Sequence, residues 1–104
     1  MLLVNTDYIS GKELETLGIV KGSIVQTKNF GKDFMAGIKT LVGGEVKEYT
    51  DMLNQARQIA VKRMVDEAEA MGADAIVNIR YASSSLMQGA AEVIAYGTAV
   101  KYMI

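Results

Sequence analysis

The stretch EVKEYTDMLNQARQIAVKRMVDEAEAM, Glu45–Met71, decides the fold class. Its apolar side chains fall at Tyr49, Met52, Leu53, Ala56, Ile59, Ala60, Met64, Ala68 and Met71. That is the recurrence of about 3.6 residues expected of a helix with one core-facing stripe. Arg57, Lys62, Arg63, Asp66, Glu67 and Glu69 occupy much of the remaining circumference. Lys62 with Asp66, and Arg63 with Glu67, stand one turn apart and can pair, each for roughly 0.2–0.5 kcal/mol. Such pairs solvate a face; they do not build a site. Gly72 supplies the stop. A helix with one apolar stripe must bury it against another layer, and the flanking segments supply strands.

Downstream, Ala75–Tyr81 reads as a strand, with Ile76, Val77 and Ile79 as β-formers and Asn78 and Arg80 on the other parity. Ser83-Ser84-Ser85 through Gln88-Gly89 reads as a loop. Ala91–Met103 (AEVIAYGTAVKYM) is the last strand, and both its parities are largely apolar: Val93, Ala95, Gly97 and Ala99 against Ile94, Tyr96, Thr98, Val100 and Tyr102. A strand on an open antiparallel sheet alternates instead. Either this strand is covered on both sides within the chain, or one face packs on a neighbouring subunit. The second fits better in so short a chain.

Upstream, Leu2–Asn5 is short and β-prone. Ser10-Gly11-Lys12-Glu13 offers an N-cap with a carboxylate three positions on, which predicts a short helix through Leu17 stopped by Gly18. Ile19–Lys28 reads as a strand, with Gly22 marking a turn or bulge. Asp33 is a candidate N-cap for a helix carrying Phe34, Ile38, Leu41 and Val42, broken at Gly43-Gly44. The expected fold is α+β: a small mixed or antiparallel sheet packed on one long helix plus one or two short ones. Residues 1–104 are read as a single domain that assembles into a closed ring.

Composition bounds the function. The chain has 104 residues, enough for one core and too few for two. Half are hydrophobic and 22% charged, which excludes disorder. A mean hydropathy of +0.16 is high for a domain this small and points to surface buried against other copies. Proline is absent, so strand edges lack a common blunting device and must be protected otherwise, as by pairing between subunits. The net charge of −1 and scattered basic residues offer no field for nucleic acid. No run approaches the roughly 18 apolar residues of a membrane span, and the start does not read as a signal peptide. The expected location is cytoplasmic.

Cysteine and histidine are both absent, which removes thiolate nucleophiles, imidazole bases and the usual soft-metal ligands. Seven methionines remain, with no Met-x-Met or Met-x-x-Met cluster. No D-x-D-x-D-G spacing marks a hard-cation loop. Neither a catalytic centre, a metal site nor a cofactor is expected. Glu92 is the best carboxylate candidate, at the start of a largely apolar strand; its ordinary reading is a strand-end charge or an ion pair with Arg80. Ser83, Ser84 and Ser85 have no histidine to activate them. Gly43-Gly44 and Asn29–Asp33 are weak anion candidates, better read as connections. Tyr96 and Tyr102 share a parity and fit a subunit interface or a flat-ligand pocket.

Three segments carry a resemblance: Phe30–Gly44 (FGKDFMAGIKTLVGG), the helix containing Ala56-Arg57-Gln58-Ile59-Ala60, and Gly72-Ala73-Asp74-Ala75-Ile76-Val77. The ending Met87-Gln88-Gly89-Ala90-Ala91-Glu92 with Tyr96-Gly97-Thr98-Ala99-Val100 extends it to nearly the whole chain. The sequence resembles the YbjQ-like family, a group without an established molecular function that is labelled heavy-metal-binding. The resemblance implies a β-α-β unit of dodecin-like architecture and homopentamers in which short strands join neighbours. Small-ligand carriage follows from it only as fold-level analogy. The expected function is therefore a non-enzymatic homo-oligomer binding a small ligand at its subunit junctions, with Arg80, Glu92, Tyr96 and Tyr102 as interface or ligand residues. The alternatives are a scaffold ring without ligand, an enzyme using Glu92, and the metal binder of the family label.

Overall fold

A computed structural model describes residues 1–27 and 47–104. Its elements are β1 (Leu2–Leu3), β2 (Glu13–Thr27), α1 (Lys47–Ala70), β3 (Ala75–Met87) and β4 (Ala90–Met103). The strands form one mixed sheet in the order β1-β3-β4-β2. β4 runs antiparallel to both β2 and β3, and β1 lies parallel to β3. β2 and β3 are therefore parallel, joined through the segment containing α1, with β4 inserted between them: a split β-α-β unit. The α+β fold class is the one expected; the sheet is open rather than closed.

The helix forms where the periodicity places it. Met52, Ala56, Ala60, Met64 and Ala68 are buried, one per turn. The stripe packs on Val20, Ile76, Val93, Ala95 and Ala99 of the sheet, flanked by Leu17, Ile24, Leu53, Val61 and Val65. Its small side chains let the helix come close. A Cβ built on Gly22 of β2 would collide with the backbone at Ala60 O and Met64 N and lie 2.8 Å from Arg63 Cβ. Gly22 thus marks the point where helix and sheet touch through bare backbone, not the turn or bulge expected; it sits in unbroken ladder opposite Ala95. At the C-terminus Gly72 takes φ 77°. The Ala73 N–H donates to Ala68 O at 3.1 Å and the Gly72 N–H to Glu69 O at 3.0 Å, the paired bonds of a Schellman cap.

Two expected elements differ. Residues 13–17 are strand, not helix: Glu13 to Thr16 pair in order with Met103 to Val100, and Gly18 follows a bulge rather than a helix end. The ladder with β4 satisfies every second backbone group of this stretch, more than one short helical turn could. The serines are strand as well, Ser83 opposite Val93, Ser84 opposite Glu92 and Ser85 opposite Ala91. Of the two charge pairs on the helix, Lys62–Asp66 forms at 3.3 Å. Arg63 instead donates from Nη1 to Ser23 O at 2.7 Å, tying helix to β2. The helix expected after Asp33 and the Gly43-Gly44 break lie outside the described residues.

The second face of β4 has two answers along its length. Near the C-terminal end, Val100 is buried with Ala75 and Val77 beneath Val4, Ile9, Leu14 and Tyr102, so the N-terminal segment of the same chain supplies that cover. In the middle the face is bare, with Tyr96 exposed and Ile94 and Thr98 half-buried. Strands of 13 to 15 residues run to roughly 45–50 Å, past the roughly 36 Å of a 24-residue helix. Part of the sheet is therefore left without a covering layer among the described residues.

Candidate functional site

The site begins with an irregularity in β3. Val77 stands opposite Thr98 and Arg80 opposite Tyr96, so Asn78 and Ile79 together face Gly97, a β-bulge. Asn78 adopts φ 55°, a left-handed conformation that asparagine tolerates better than most residues. The bulge shifts the parity of everything after it. Arg80 joins Val77 on the face away from the helix, and Tyr81, opposite Ala95, comes to the helix side.

The N-terminal segment wraps this bulge. The Val4 N–H donates to Ile76 O (3.0 Å), the Asn78 N–H to Thr6 O (2.8 Å) and the Ile79 N–H to Val4 O (3.1 Å). Past Ile79 the segment departs, and the outer edge of β3 has no strand partner among the described residues. Where β1, the bulge and α1 meet, a cavity of about 410 Å³ opens, lined by Leu3, Val4, Asn5, Val61, Ile79, Arg80 and Tyr81. The Arg80 guanidinium stands at it with Nη1 donating to Asn5 O and to Ile79 O, both at 3.0 Å. One nitrogen held by two carbonyls fixes the plane of the fork and leaves Nη2 and Nε without a partner among the described residues.

The other expected residues lie elsewhere. Glu92 is half-buried opposite Ser84 and Val25. It makes no ion pair with Arg80, because their rungs are four residues apart along the sheet, about 13 Å. Tyr96 and Tyr102 share a face, as their parity implies, but six residues along one strand separate them by about 20 Å. The Tyr102 ring carries the Lys12 ammonium 5.1 Å from its centroid, and its N–H donates to Asp74 Oδ2 at 2.8 Å. Leu3, Asn5, Val61 and Tyr81 were not anticipated. Their one signal was an asparagine inside a run of β-formers, where a left-handed residue makes a bulge.

No nucleophile is brought to a base among the described residues: Ser84 and Glu92 face each other across the ladder without a hydrogen bond. No three carboxylates gather there either. Met52 and Met64 are core residues, while Met1, Met71, Met87 and Met103 are exposed at dispersed positions. Among the described residues, which leave out Met35, this donor set does not fit a soft metal, which asks for converging thiolate, thioether or imidazole groups. No helix among the described residues is long and apolar enough to cross a membrane.

Among the described residues, a mixed four-stranded sheet with one helix on one face and a pocket at its interrupted edge defines a small α+β domain. The chain belongs to the YbjQ family, described as "Putative heavy-metal-binding", which matches residues 1–103. It is 67% identical to a UPF0145 protein of Clostridium novyi over 103 residues, covering 99% of this chain and 100% of the other. It is 55% identical to a UPF0145 protein of the archaeon Methanosarcina acetivorans, covering 99% and 98%. A crystal structure from Pediococcus pentosaceus, of a protein of unknown function assigned to the DUF74 family, superposes with a TM-score of 0.65. At 13% identity over 99% of this chain and 98% of that one, it shares the fold.

Proposed function

We propose that the chain is a non-enzymatic homo-oligomer whose copies join edge to edge into a ring, five by the family resemblance, and that it binds a small ligand at the junctions. The observation that carries this reading is a pair of open edges. Among the described residues β2 ends the sheet along its whole length, and β3 has no outer partner beyond Ile79. Neither edge contains proline. Apolar side chains stand free on both, with Ile19 78% and Met87 69% exposed, and Val25, Tyr81 and Leu86 more than half exposed. Long flat edges of this kind recruit a strand unless blocked, and a head-to-tail pairing that closes on itself removes both at once.

Sedimentation velocity at micromolar concentration tests it. A closed species of defined stoichiometry is expected, and a stable monomer refutes the reading. Ser83→Pro sharpens the test. Alternation after the bulge turns the Ser83 N–H to the open edge, so proline there blocks a neighbour and spares the β3–β4 ladder. Loss of assembly with an unchanged circular dichroism spectrum is the expected result.

A further inference from the structure

We propose that the cavity beside Arg80 is a binding site for a small apolar molecule carrying a single oxyanion, a carboxylate or a phosphate monoester. The inference rests on the reading of the chain as a small-ligand binder, but not on its assembly, since one chain supplies every residue of the site. Two observations converge. First, Arg80 has no counter-charge among the described residues, where the one ion pair is Lys62–Asp66, on the exposed face of the helix. Its guanidinium is nonetheless held in place by Asn5 O and Ile79 O. A fixed fork with free donors is the preferred partner of an oxyanion, which it engages by two parallel hydrogen bonds.

Second, the walls are apolar. Leu3, Val4, Val61 and Ile79 surround the space, and Tyr81 contributes an aromatic face. About 410 Å³ lies near the lower end of small-molecule sites, room for one ring with a short tail. An apolar body against these walls would place its charged end on Arg80. A bare inorganic anion would gain the second interaction without the first.

Titration of the ¹⁵N-labelled full chain with 4-phenylbutyrate, phenyl phosphate, neutral 4-phenylbutyramide and inorganic phosphate tests the proposal, with stoichiometry measured by light scattering on the same samples. At least one of the two anionic aromatic probes is expected to saturate shifts at Leu3–Asn5 and Ile79–Tyr81, which of them does so separating the two headgroups. The amide and inorganic phosphate are expected to bind at least about tenfold more weakly than that probe. Arg80→Gln should cost a similar factor for the charged probes and leave the amide unchanged. Val61→Phe, which fills the space, should weaken all organic probes. No saturation by either anionic probe, equal binding of amide and acid, or an unaffected Arg80→Gln variant overturns the site. So does dissociation of an oligomer by Arg80→Gln, because the guanidinium then answers a neighbour's carboxylate. A monomer that takes up 4-phenylbutyrate removes the ring and leaves the site; an oligomer that takes up neither anionic probe removes the site and leaves the ring.

Discussion

Gly22→Ala is the most direct test of how this fold is held together. The added Cβ meets backbone, Ala60 O and Met64 N, together with the Arg63 Cβ at 2.8 Å. None of these can move by changing rotamer. Gly22 lies in regular strand, so alanine suits its backbone and gains about 0.5–1 kcal/mol from reduced chain entropy. Any loss is therefore steric. To restore ordinary contacts of about 3.5–4.0 Å to the backbone atoms, α1 must retreat by more than about 1 Å, and a gap of about 1 Å already forfeits up to half of each dispersion contact along the interface. Overpacking costs about 1–3 kcal/mol, and strain that falls on rigid backbone belongs at the upper end of that range.

The net expectation is a loss of about 1.5–2.5 kcal/mol after the entropic gain. At roughly 4–8 °C per kcal/mol for a domain near this size, Tm falls by about 6–20 °C. Thermal unfolding followed at 222 nm, at two protein concentrations, separates this from a change in assembly. Ser23→Ala, one residue along on the exposed opposite face, should stay within about 0.5 kcal/mol of the parent. A Gly22→Ala protein as stable as the parent refutes the close backbone approach. So does recovery of stability on adding Met64→Ala, because the obstruction would then have been a side chain.

Met64 is fully buried between helix and sheet, so Met64→Ala should cost about 2–5 kcal/mol in urea unfolding. Lys62→Ala removes half of an ion pair whose side chains are 77% and 57% exposed, and the midpoint should move by less than about 0.5 kcal/mol. Asn78→Val places a β-branched residue at φ 55° and should cost about 1–2 kcal/mol or more, whereas Asn78→Gly should be nearly neutral; equal effects would remove the bulge from the account.

Helix and last strand were legible because each announces itself through a local period. Met52, Ala56, Ala60, Met64 and Ala68 repeat at one turn, and β4 begins one residue before its expected start. What failed to show in the sequence is what depends on a partner. Ser10-Gly11-Lys12-Glu13 is a sound capping pattern, yet pairing of Glu13–Thr16 with Met103–Val100 overrides it. Ser83, Ser84 and Ser85 have weak strand preference, and their place in the ladder comes from Val93, Glu92 and Ala91 across from them. The apolar second face of β4 reads in the sequence as packed on a neighbouring subunit. At Val100 the cover is instead the chain's own N-terminal segment.

The candidate site was half legible for a related reason. In the sequence Glu92 is the charge at the start of an apolar strand, and Arg80 is its possible ion-pair partner and an interface or ligand candidate. Simple parity from Ala75 puts Arg80 on the side of Ile76, facing the helix. The extra residue at Asn78 reverses that and brings it to Val77's side. The same bulge supplies the Asn78 and Ile79 N–H groups that hold Thr6 and Val4, and it ends the pairing of the N-terminal segment there. One left-handed asparagine thereby sets where the guanidinium stands, which carbonyls fix it, and where the outer edge of β3 becomes free. Pocket and open edge share a single cause. A change at residue 78 should therefore alter probe binding and subunit association together, whereas Ser83→Pro, farther along the edge, should touch association alone.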